Sequence, residues 1–360
     1  MSNSRDAVAG TPASLVEVWR GPLIESRHRG HLAAIAGGGN TIASLGLPET
    51  VTYVRSSGKP FQAIPVIVSG AADRFGFTEQ EIAIACGSHS GESIHVDTVR
   101  SMLAKIGLDE SALKCGVHEP FSAEVARELA RNQQSPNVLQ NNCSGKHAAM
   151  LALAVHIGAA TESYGDWRNP VQQMISETFA DFSGVPLQQI AIGVDGCGVP
   201  VFGVPVRAMA LMYARLVAPE SFDAATRDAC QRVTKAMIAF PEMVGGTKDR
   251  LDTELIKAGQ GRLISKIGAE GVYTVGVLPS AAWPHGLGLA LKIEDGDDHR
   301  ARPPAVIEAL RQLNVLAESE LSALASYAPI IIRNRRGDRV GEARAAFTLE
   351  IKEGAQLNPR

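Results

Sequence analysis

The chain has 360 residues, enough for one large domain or two medium ones with an ample hydrophobic core. Hydrophobic residues make up 45% of it, charged residues 20%, and the formal net charge is −3. Because this charge is small and negative, it provides no basic surface for nucleic acid and no charge excess that would favour disorder. The composition is typical of a globular protein and argues against a nucleic-acid partner.

No segment of the sequence is predicted to span a membrane. The apolar run closest to membrane length, Val199 to Ala218, is interrupted by glycine, proline and arginine. The first residues, MSNSRDAVAGTP, lack the apolar stretch of a signal peptide and are expected to form a mobile tail. The five cysteines are scattered along the chain, unlike a disulfide framework. We therefore expect a cytoplasmic protein.

Residues 14–54 are predicted to be β-structure. Two apolar runs flank the turn GGGN at residues 37–40. The glycines of a phosphate-binding loop would lead into a helix, whereas this turn leads into Thr41–Leu45, which has the character of a strand. A β-hairpin turn is therefore favoured over a phosphate loop.

Residues 60–240 have mainly helical patterns. Thr78 and Glu81 form the capping box of one helix, and another helix begins at Asn169 and ends near Gly184. After residue 261 the chain returns to strands, followed by one helix and a closing β-hairpin.

This order predicts an α+β fold, in which the N- and C-terminal segments form one antiparallel sheet and a large helical insert packs beside it. The active site would then lie in the cleft between the sheet and the helices. The expected divisions are a tail (1–12), a single catalytic domain (13–360), its sheet lobe (13–55 and 261–360) and its mainly helical lobe (56–260).

The stretch RSSGKP at residues 55–60 places Ser56 and Lys59 three positions apart. If a helix starts there, both side chains share one face and the amine can reach the hydroxyl. A neutral lysine beside a serine can take its proton and so make the serine a nucleophile. On its own, however, this spacing is more often a solvated helix start than a catalytic pair.

Two later segments complete an ordered pattern. Ser88 lies in the glycine-bounded loop ACGSHSGES, and Lys266 precedes Ile267 and Gly268 next to a strand. A Ser-x-x-Lys pair, a serine-rich loop and a Lys-x-Gly on a late strand occur in this order in serine β-lactamases and penicillin-binding proteins. Each residue alone would be interpreted as a turn or surface residue, but the ordered combination favours a serine site in a fold of that kind.

A third group of candidate residues lies between these segments. QNNCSGKH places Cys143, Lys146 and His147 at the start of an apolar helix, and AIGVDGCGVP carries Asp195 and Cys197 in a glycine-rich turn. A thiol at a helix N-terminus is biased toward the thiolate. Because the chain has no Cys-x-x-Cys pair and lysine is an unusual metal ligand, the spacing alone favours structural cysteines over a zinc site.

The sequence resembles the asparaginase II family, the Rhizobium-type or class 3 L-asparaginases, over nearly its whole length. The matching segments, in the family's order, are LIESRHRGHLA, RSSGKPFQA, CGSHSGE, NNCSGKHAAML, VDGCGVP, PEMVGG and SKIGAEGVY. NCSGKH and DGC are the most specific of them. The resemblance implies a fold similar to serine β-lactamases and glutaminases, hydrolysis of L-asparagine to L-aspartate and ammonia, and a homodimer.

The resemblance also implies two Ser–Lys tandems, which fall on Ser56 with Lys59 and on Ser88 with Lys266. We expect Ser56 to be the nucleophile, because only this pair has the i, i+3 spacing.

A zinc ion beside the serines is implied as well, held by Cys143, Lys146 and Cys197, which reverses the interpretation drawn from spacing. Substrate contacts are expected at Arg55, His147 and Asp195.

The match is loose at residues 247–262, where TKDRLDTELIKAGQGR is charged and a more apolar segment is expected. The sequence leaves open whether Asp252 and Glu254 in this segment shape substrate or metal preference. Two other functions remain open: a β-lactam-reactive serine acyl-enzyme, and a zinc-dependent amino-acid binding protein whose serines only contact the ligand.

Overall fold

The computed structural model describes residues 11–352, so the predicted tail at 1–12 lies almost entirely outside the described residues. Strands gather in two antiparallel sheets, and helices fill the middle of the chain. The strands are β1 (Ala13–Arg20), β2 (Leu23–Ala36), β3 (Thr41–Leu45), β4 (Val51–Tyr53), β5 (Ala191–Val194), β6 (Pro200–Pro205), β7 (Leu263–Ile267), β8 (Val272–Val277), β9 (Leu287–Ile293), β10 (Ile330–Arg333) and β11 (Arg339–Ala345).

The main sheet joins the two ends of the chain. Its strand order is β10-β11-β1-β2-β9-β8-β7, with β3 paired to β2 beside this path. The long strand β2 pairs with β1 through its first half and with β3 and β9 through its second half. The predicted turn at residues 37–40 is confirmed as a hairpin between β2 and β3, closed by the Ala36 N–H bond to Asn40 O at 2.9 Å. The α+β class, with one antiparallel sheet from the N- and C-terminal segments and a large helical insert, is confirmed.

Most of the helices lie in residues 60–240, where helical patterns were predicted. The Thr78–Glu81 capping box is confirmed, as is the helix that starts after Asn169 and stops at Gly184, whose φ is 70°. The helices are α1 (Lys59–Val68), α2 (Ala71–Arg74), α3 (Glu79–Ala85), α4 (Ser93–Lys105), α5 (Ala123–Arg131), α6 (Ser144–Ile157), α7 (Pro170–Ser183), α8 (Val206–Val217), α9 (Ala224–Ala239), α10 (Pro241–Val244), α11 (Leu251–Ala258), α12 (Arg302–Gln312) and α13 (Glu318–Ala323).

Two helices run through the interior. In α6 every residue from Ser144 to Ala154 is buried, and in α1 every residue from Lys59 to Ile67 is buried. A helix that is apolar on all sides is stable only when other elements surround it. The two helices pack against each other, and α1 also contacts α7 and α9. Polar residues at the N-terminal ends of α1 and α6 are thereby placed inside the protein.

Helix α8 lies directly on the main sheet. It packs against β2, β8 and β9. A Cβ atom added to Gly288 of β9 would lie 1.8 Å from the carbonyl oxygen of Ala210 in α8, closer than any two such atoms approach. Glycine at this position therefore allows the helix to rest on the sheet.

The smaller sheet, in the order β4-β6-β5, was not predicted. Strand β5 has only four residues and is mostly exposed, so it lacks the alternation of buried and exposed positions that marks a strand in a sequence. The glycine-rich turn that carries Asp195 and Cys197 connects β5 to β6. The small sheet therefore fixes the position of both residues.

The helices of the described range are short. The longest of those given above, α9, has 16 residues. None of the helices within residues 11–352 combines the length and the apolar character that crossing a bilayer requires. The division of the chain into a sheet lobe and a helical lobe stays a prediction.

Candidate active site

One hydroxyl group lies between two buried amines. Ser88 Oγ is 3.0 Å from Lys59 Nζ and 2.9 Å from Lys266 Nζ. Ser88 follows α3, Lys59 begins α1, and Lys266 lies in β7, the edge strand of the main sheet. None of the three residues is more than 2% exposed. The fold thus joins three of the four predicted Ser–Lys residues in one continuous chain of hydrogen bonds.

The loop that carries Ser88 is held against the segment that follows α9. The Ser88 N–H donates to Val244 O at 2.8 Å. A Cβ atom at Gly87 would lie 2.2 Å from Met243 O, so the contact requires glycine at residue 87. This close approach fixes the position of the Ser88 hydroxyl relative to the sheet and the helices.

The Lys59 amine is held by two carbonyl groups in addition to Ser88. It donates to Gly87 O at 2.7 Å and to Asn142 O at 3.1 Å. Burial lowers the pKa of Lys59, and the charge of Lys146 lowers it further, while Cys143 opposes this shift. The Lys59 amine therefore loses its proton at a lower pH than the amine of a solvated lysine does.

The Lys266 amine forms a buried ion pair. Its Nζ lies 3.4 Å from Asp252 Oδ2, and the two side chains are 0% and 1% exposed. It also donates to Ile267 O at 3.2 Å. Burial lowers the pKa of Lys266 to about 7; Asp252 opposes this shift, and Lys59 and Arg250 increase it. Near neutral pH a sizeable fraction of the amine is therefore neutral and can accept a proton from Ser88.

Ser56 occupies a more accessible place than Ser88. It lies half-buried in a 3-10 turn, Arg55–Gly58, directly before α1. Within residues 11–352 no hydrogen bond joins its hydroxyl to the amine of Lys59, which points to Ser88 instead. The neighbouring Ser57 is buried and donates to Val54 O at 2.6 Å. Of the two adjacent serines, Ser56 is the one whose hydroxyl is free to meet a substrate.

Arg55 is held in a strained backbone conformation beside Ser56. Its φ is 50°, in the left-handed region that residues other than glycine seldom adopt. Its Nε donates to Asp195 Oδ1 at 2.9 Å, and its guanidinium lies 3.7 Å from Glu270 Oε1. Strain of this kind is concentrated at functional sites, where the surrounding structure maintains it.

Asp195 remains ionised in this setting. Burial on its own would raise the pKa of its carboxyl group, but Lys146, the N–H of Gly196 and Arg55 together lower it. Arg55 and Asp195 therefore present a fixed positive charge and a fixed negative charge side by side.

One ring nitrogen of His147 is buried without a hydrogen-bond partner among residues 11–352. Nδ1 lies 2.6 Å from the Tyr164 hydroxyl, which also accepts the N–H of Lys114 at 2.9 Å. Burial, followed by the charge of Lys146, lowers the pKa of His147 to about 3, so the ring is neutral. The nitrogen without a partner in the described range is Nε2. A polar group of a bound molecule would satisfy it.

Two thiols and one amine converge beside His147. Lys146 Nζ lies 3.0 Å from Cys197 Sγ. The neighbouring Cys143 thiol and Lys146 lower the pKa of Cys197 to about 4, whereas Cys197 and burial raise that of Cys143 to about 12. Of the two thiols, Cys197 therefore ionises more readily to the thiolate, the form that binds metals.

This donor set fits a zinc ion. All three residues are at most 6% exposed, and soft sulfur ligands favour zinc. Within the described range no three histidine, cysteine, aspartate or glutamate side chains gather as a metal site. Cys143, Cys197 and Lys146 are the residues that would hold the ion. Cys143 also acts on the pKa of Lys59, so the thiols lie near the Lys59–Ser88–Lys266 chain.

Sequence reasoning missed Arg250 and gave Asp252 no definite role. Arg250 donates to Ser88 O and to Ser90 Oγ, each at 2.8 Å, and these two bonds fix the loop that carries Ser88. Both residues belong to segment 247–262, which is charged where an apolar segment was expected. That unexpected charge, directly before the strand of Lys266, was the signal that could have identified them.

A family model described as L-asparaginase II matches residues 16–345. The chain belongs to the L-asparaginase II family. It is therefore an amidohydrolase.

Solved structures with a similar arrangement include two glutaminases. One is a probable glutaminase from Bacillus subtilis complexed with 6-diazo-5-oxo-L-norleucine, 14% identical, covering 80% of this chain and 85% of that chain at a TM-score of 0.35. The other is a Bacillus glutaminase in the presence of 4.3 M NaCl, 13% identical, covering 80% of this chain and 91% of that chain at a TM-score of 0.35. No curated protein matches the sequence.

Proposed function

We propose that the protein is an L-asparaginase, which hydrolyses L-asparagine to L-aspartate and ammonia. The observation that carries this proposal is the Ser88 hydroxyl between the amines of Lys59 and Lys266, at 3.0 and 2.9 Å. Buried amines with lowered pKa values can accept a proton at neutral pH, and a serine nucleophile needs such an acceptor.

Ser56 is the proposed nucleophile because it is the accessible serine of the Ser-x-x-Lys stretch. Its Oγ forms a bond to the side-chain amide carbon of asparagine, while its proton passes to Lys59. The C–N bond then breaks, and the leaving nitrogen takes up a proton from the Lys59–Ser88–Lys266 chain and departs as ammonia. Water next attacks the aspartyl ester on Ser56, releases aspartate and returns the proton to the serine.

Ser88 and Lys266 form the second Ser–Lys tandem of this proposal. Because Ser88 is buried and bonded to both amines, its hydroxyl passes a proton between them rather than attacking substrate. A hydroxyl group can accept one hydrogen bond while it donates another, as such a relay requires.

Arg55, Asp195 and His147 are the proposed substrate contacts. An amino acid carries one ammonium and one carboxylate group, which the adjacent charges of Asp195 and Arg55 complement. Nε2 of His147, which has no partner among residues 11–352, would form a hydrogen bond with a polar group of the substrate.

Cys143, Lys146 and Cys197 are the proposed zinc ligands. When bound there, zinc supplies a positive charge that orients the amino-acid head group of the substrate. The nucleophile and the proton acceptors are already supplied by the serines and lysines of this chain, so no zinc-bound hydroxide is needed. We further expect a cytoplasmic homodimer, which size-exclusion chromatography with light scattering tests for its oligomeric state.

Ammonia release tests the function. Purified protein is incubated with L-asparagine, L-glutamine or no substrate, and hydrolysis of nitrocefin is followed in parallel. Release from L-asparagine well above that from L-glutamine supports the proposal. Preference for glutamine would make it a glutaminase, nitrocefin turnover a β-lactam-reactive enzyme, and tight amino-acid binding without turnover a binding protein.

A further inference from the structure

Asp252 is a buried carboxylate that neither the two Ser–Lys tandems nor the zinc ligands account for. Its Oδ2 lies 3.4 Å from Lys266 Nζ, and the side chain is 1% exposed. Within residues 11–352 its Oδ1 is buried with no hydrogen-bond partner. A buried carboxylate is costly unless a positive charge or hydrogen bonds compensate for it, so Lys266 is its principal partner.

The residue is held in place by two neighbouring elements. Asp252 lies in the first turn of α11, which packs against β7, the strand of Lys266. Its carbonyl oxygen accepts the Ser265 hydroxyl at 3.3 Å, and that hydroxyl accepts the Tyr273 O–H at 3.1 Å. These bonds tie the backbone of α11 to the strand, so the carboxylate is directed at the amine rather than at solvent.

Several other groups act on the Lys266 amine. Arg250, and Lys59 when it is protonated, disfavour its protonation, whereas Asp252 favours it. Two neutral titratable groups lie close by: Cys86, whose pKa burial raises to about 12, and Tyr273, whose pKa burial also raises. At neutral pH the carboxylate is therefore the one negative charge among them that acts directly on Lys266.

We propose that Asp252 is a positioning residue that holds the Lys266 amine against the Ser88 hydroxyl and retains a proton on that amine until the reaction needs it. This inference rests on the proposed relay through Ser88. It assigns Asp252 to proton transfer rather than to substrate or metal preference, because its carboxylate is directed at an amine that contacts neither the thiols nor Arg55 among the described residues.

Replacing the carboxylate by a neutral amide changes one specific property. In Asp252→Asn the Lys266 amine loses the attraction of the Asp252 carboxylate but keeps the repulsion of Arg250 and of protonated Lys59. Its pKa should fall by about one unit or more, the usual effect of an opposite charge at this distance. The acid limb of the pH–rate profile should move down by the same amount, whereas a residue that only stabilises the fold would leave that limb in place.

The experiment compares wild-type enzyme, Asp252→Asn, Asp252→Glu and Glu254→Gln. Glu254→Gln is the matched control, because it makes the same change of charge in α11 at a half-buried side chain without a contact to Lys266. The pH dependence of kcat/KM with L-asparagine is measured for each variant. Lysine 13Cε signals are titrated by NMR in parallel, with the Lys266 signal assigned from Lys266→Arg.

We expect the acid limb and the Lys266 NMR midpoint to fall together in Asp252→Asn, to stay near wild type in Glu254→Gln, and to recover at least partly in Asp252→Glu. An unchanged NMR midpoint in Asp252→Asn would overturn the proposal, and so would an NMR midpoint that moves while the acid limb stays. If Asp252→Asn does not fold, Asp252→Ser gives the same test. Failure of the wild-type enzyme to release ammonia would refute the asparaginase function instead, and the NMR titration would still test the ion pair.

Discussion

Ser88 Oγ and Lys266 Nζ lie 2.9 Å apart, although the two residues are 178 positions apart in the chain. The contact joins the main sheet to the middle of the chain, because Lys266 lies in the edge strand β7 and Ser88 in the loop after α3. The same serine contacts Lys59, so removal of one hydroxyl should separate two amines that otherwise share a proton pathway.

Ser88→Ala should therefore reduce kcat by about 10²-fold or more while changing KM little, since the hydroxyl is proposed to act in proton transfer and not in binding. Steady-state kinetics with L-asparagine checks this. Ser176→Ala is the control, because Ser176 is equally buried and its hydroxyl, among residues 11–352, bonds only to the carbonyl of Gln173 within α7. Equal activities of the two variants would remove Ser88 from the mechanism.

The activity should rise with pH through the titration of Lys266. Burial lowers the pKa of this amine to about 7, and only the neutral amine can accept a proton. The value of kcat/KM is accordingly low below this pKa and increases above it, which gives an alkaline optimum. A profile that is flat, or that falls, between about pH 6 and 9 would contradict a lysine acceptor.

Zinc content should depend on the paired thiols. The double variant Cys143→Ser, Cys197→Ser should lose zinc, because it removes both sulfur ligands of the proposed site. The control is Cys230→Ser, which replaces a buried free cysteine of α9. Elemental analysis of proteins purified without added zinc measures occupancy, and full zinc in the double variant would show that the proposed ligands are wrong.

Removal of zinc by a chelator tests whether the metal acts in substrate binding or in the chemical step. If zinc orients the substrate, its removal should raise KM more than it lowers kcat. Kinetics before and after chelation, with zinc added back as the control, measure both constants. A fall in kcat at constant KM would instead assign the metal to the chemical step.

The close contact of α8 with the main sheet predicts a large effect on stability. Gly288→Ala places a methyl group 1.8 Å from the backbone oxygen of Ala210 and should lower the free energy of unfolding by about 3 kcal/mol or more. Gly38→Ala is the control, since no atom lies within 4 Å of the added carbon. Denaturant unfolding measures both, and equal stabilities would contradict the packing of α8 on β9.

Much of the fold follows from local patterns in the sequence. The hairpin at residues 37–40, the capping box of α3 and the glycine that ends α7 are determined by residues within a few positions of one another. The small sheet was missed because β5 is short and exposed, so burial gives it no periodic pattern. Its pairing with β6 depends on tertiary contacts that local propensity does not determine.

Some contacts of the candidate site could be predicted from the sequence and others could not. The family resemblance implied that Ser88 and Lys266 form a pair, and the two are in contact. It did not predict that the Lys59 amine is directed at Ser88 as well. The i, i+3 spacing indicates only a possible contact of Lys59 with Ser56. The carbonyl groups that hold the Lys59 amine belong to segments far away in the sequence. The ion pair of Asp252 with Lys266 depends likewise on how α11 packs against β7, which no short motif encodes.

The turnover of L-asparagine by Ser56→Ala, compared with Ser57→Ala, tests the central claim most directly. The adjacent serines differ in the availability of their hydroxyl groups. Ser57 is buried and its hydroxyl donates to Val54 O, whereas Ser56 is half-buried and its hydroxyl is accessible. Ammonia release by Ser56→Ala should fall on the order of 10⁴-fold with unfolding behaviour unchanged, while Ser57→Ala keeps activity within about tenfold of wild type. Near-wild-type turnover by Ser56→Ala would contradict the mechanism and would make Ser88 the nucleophile to test next.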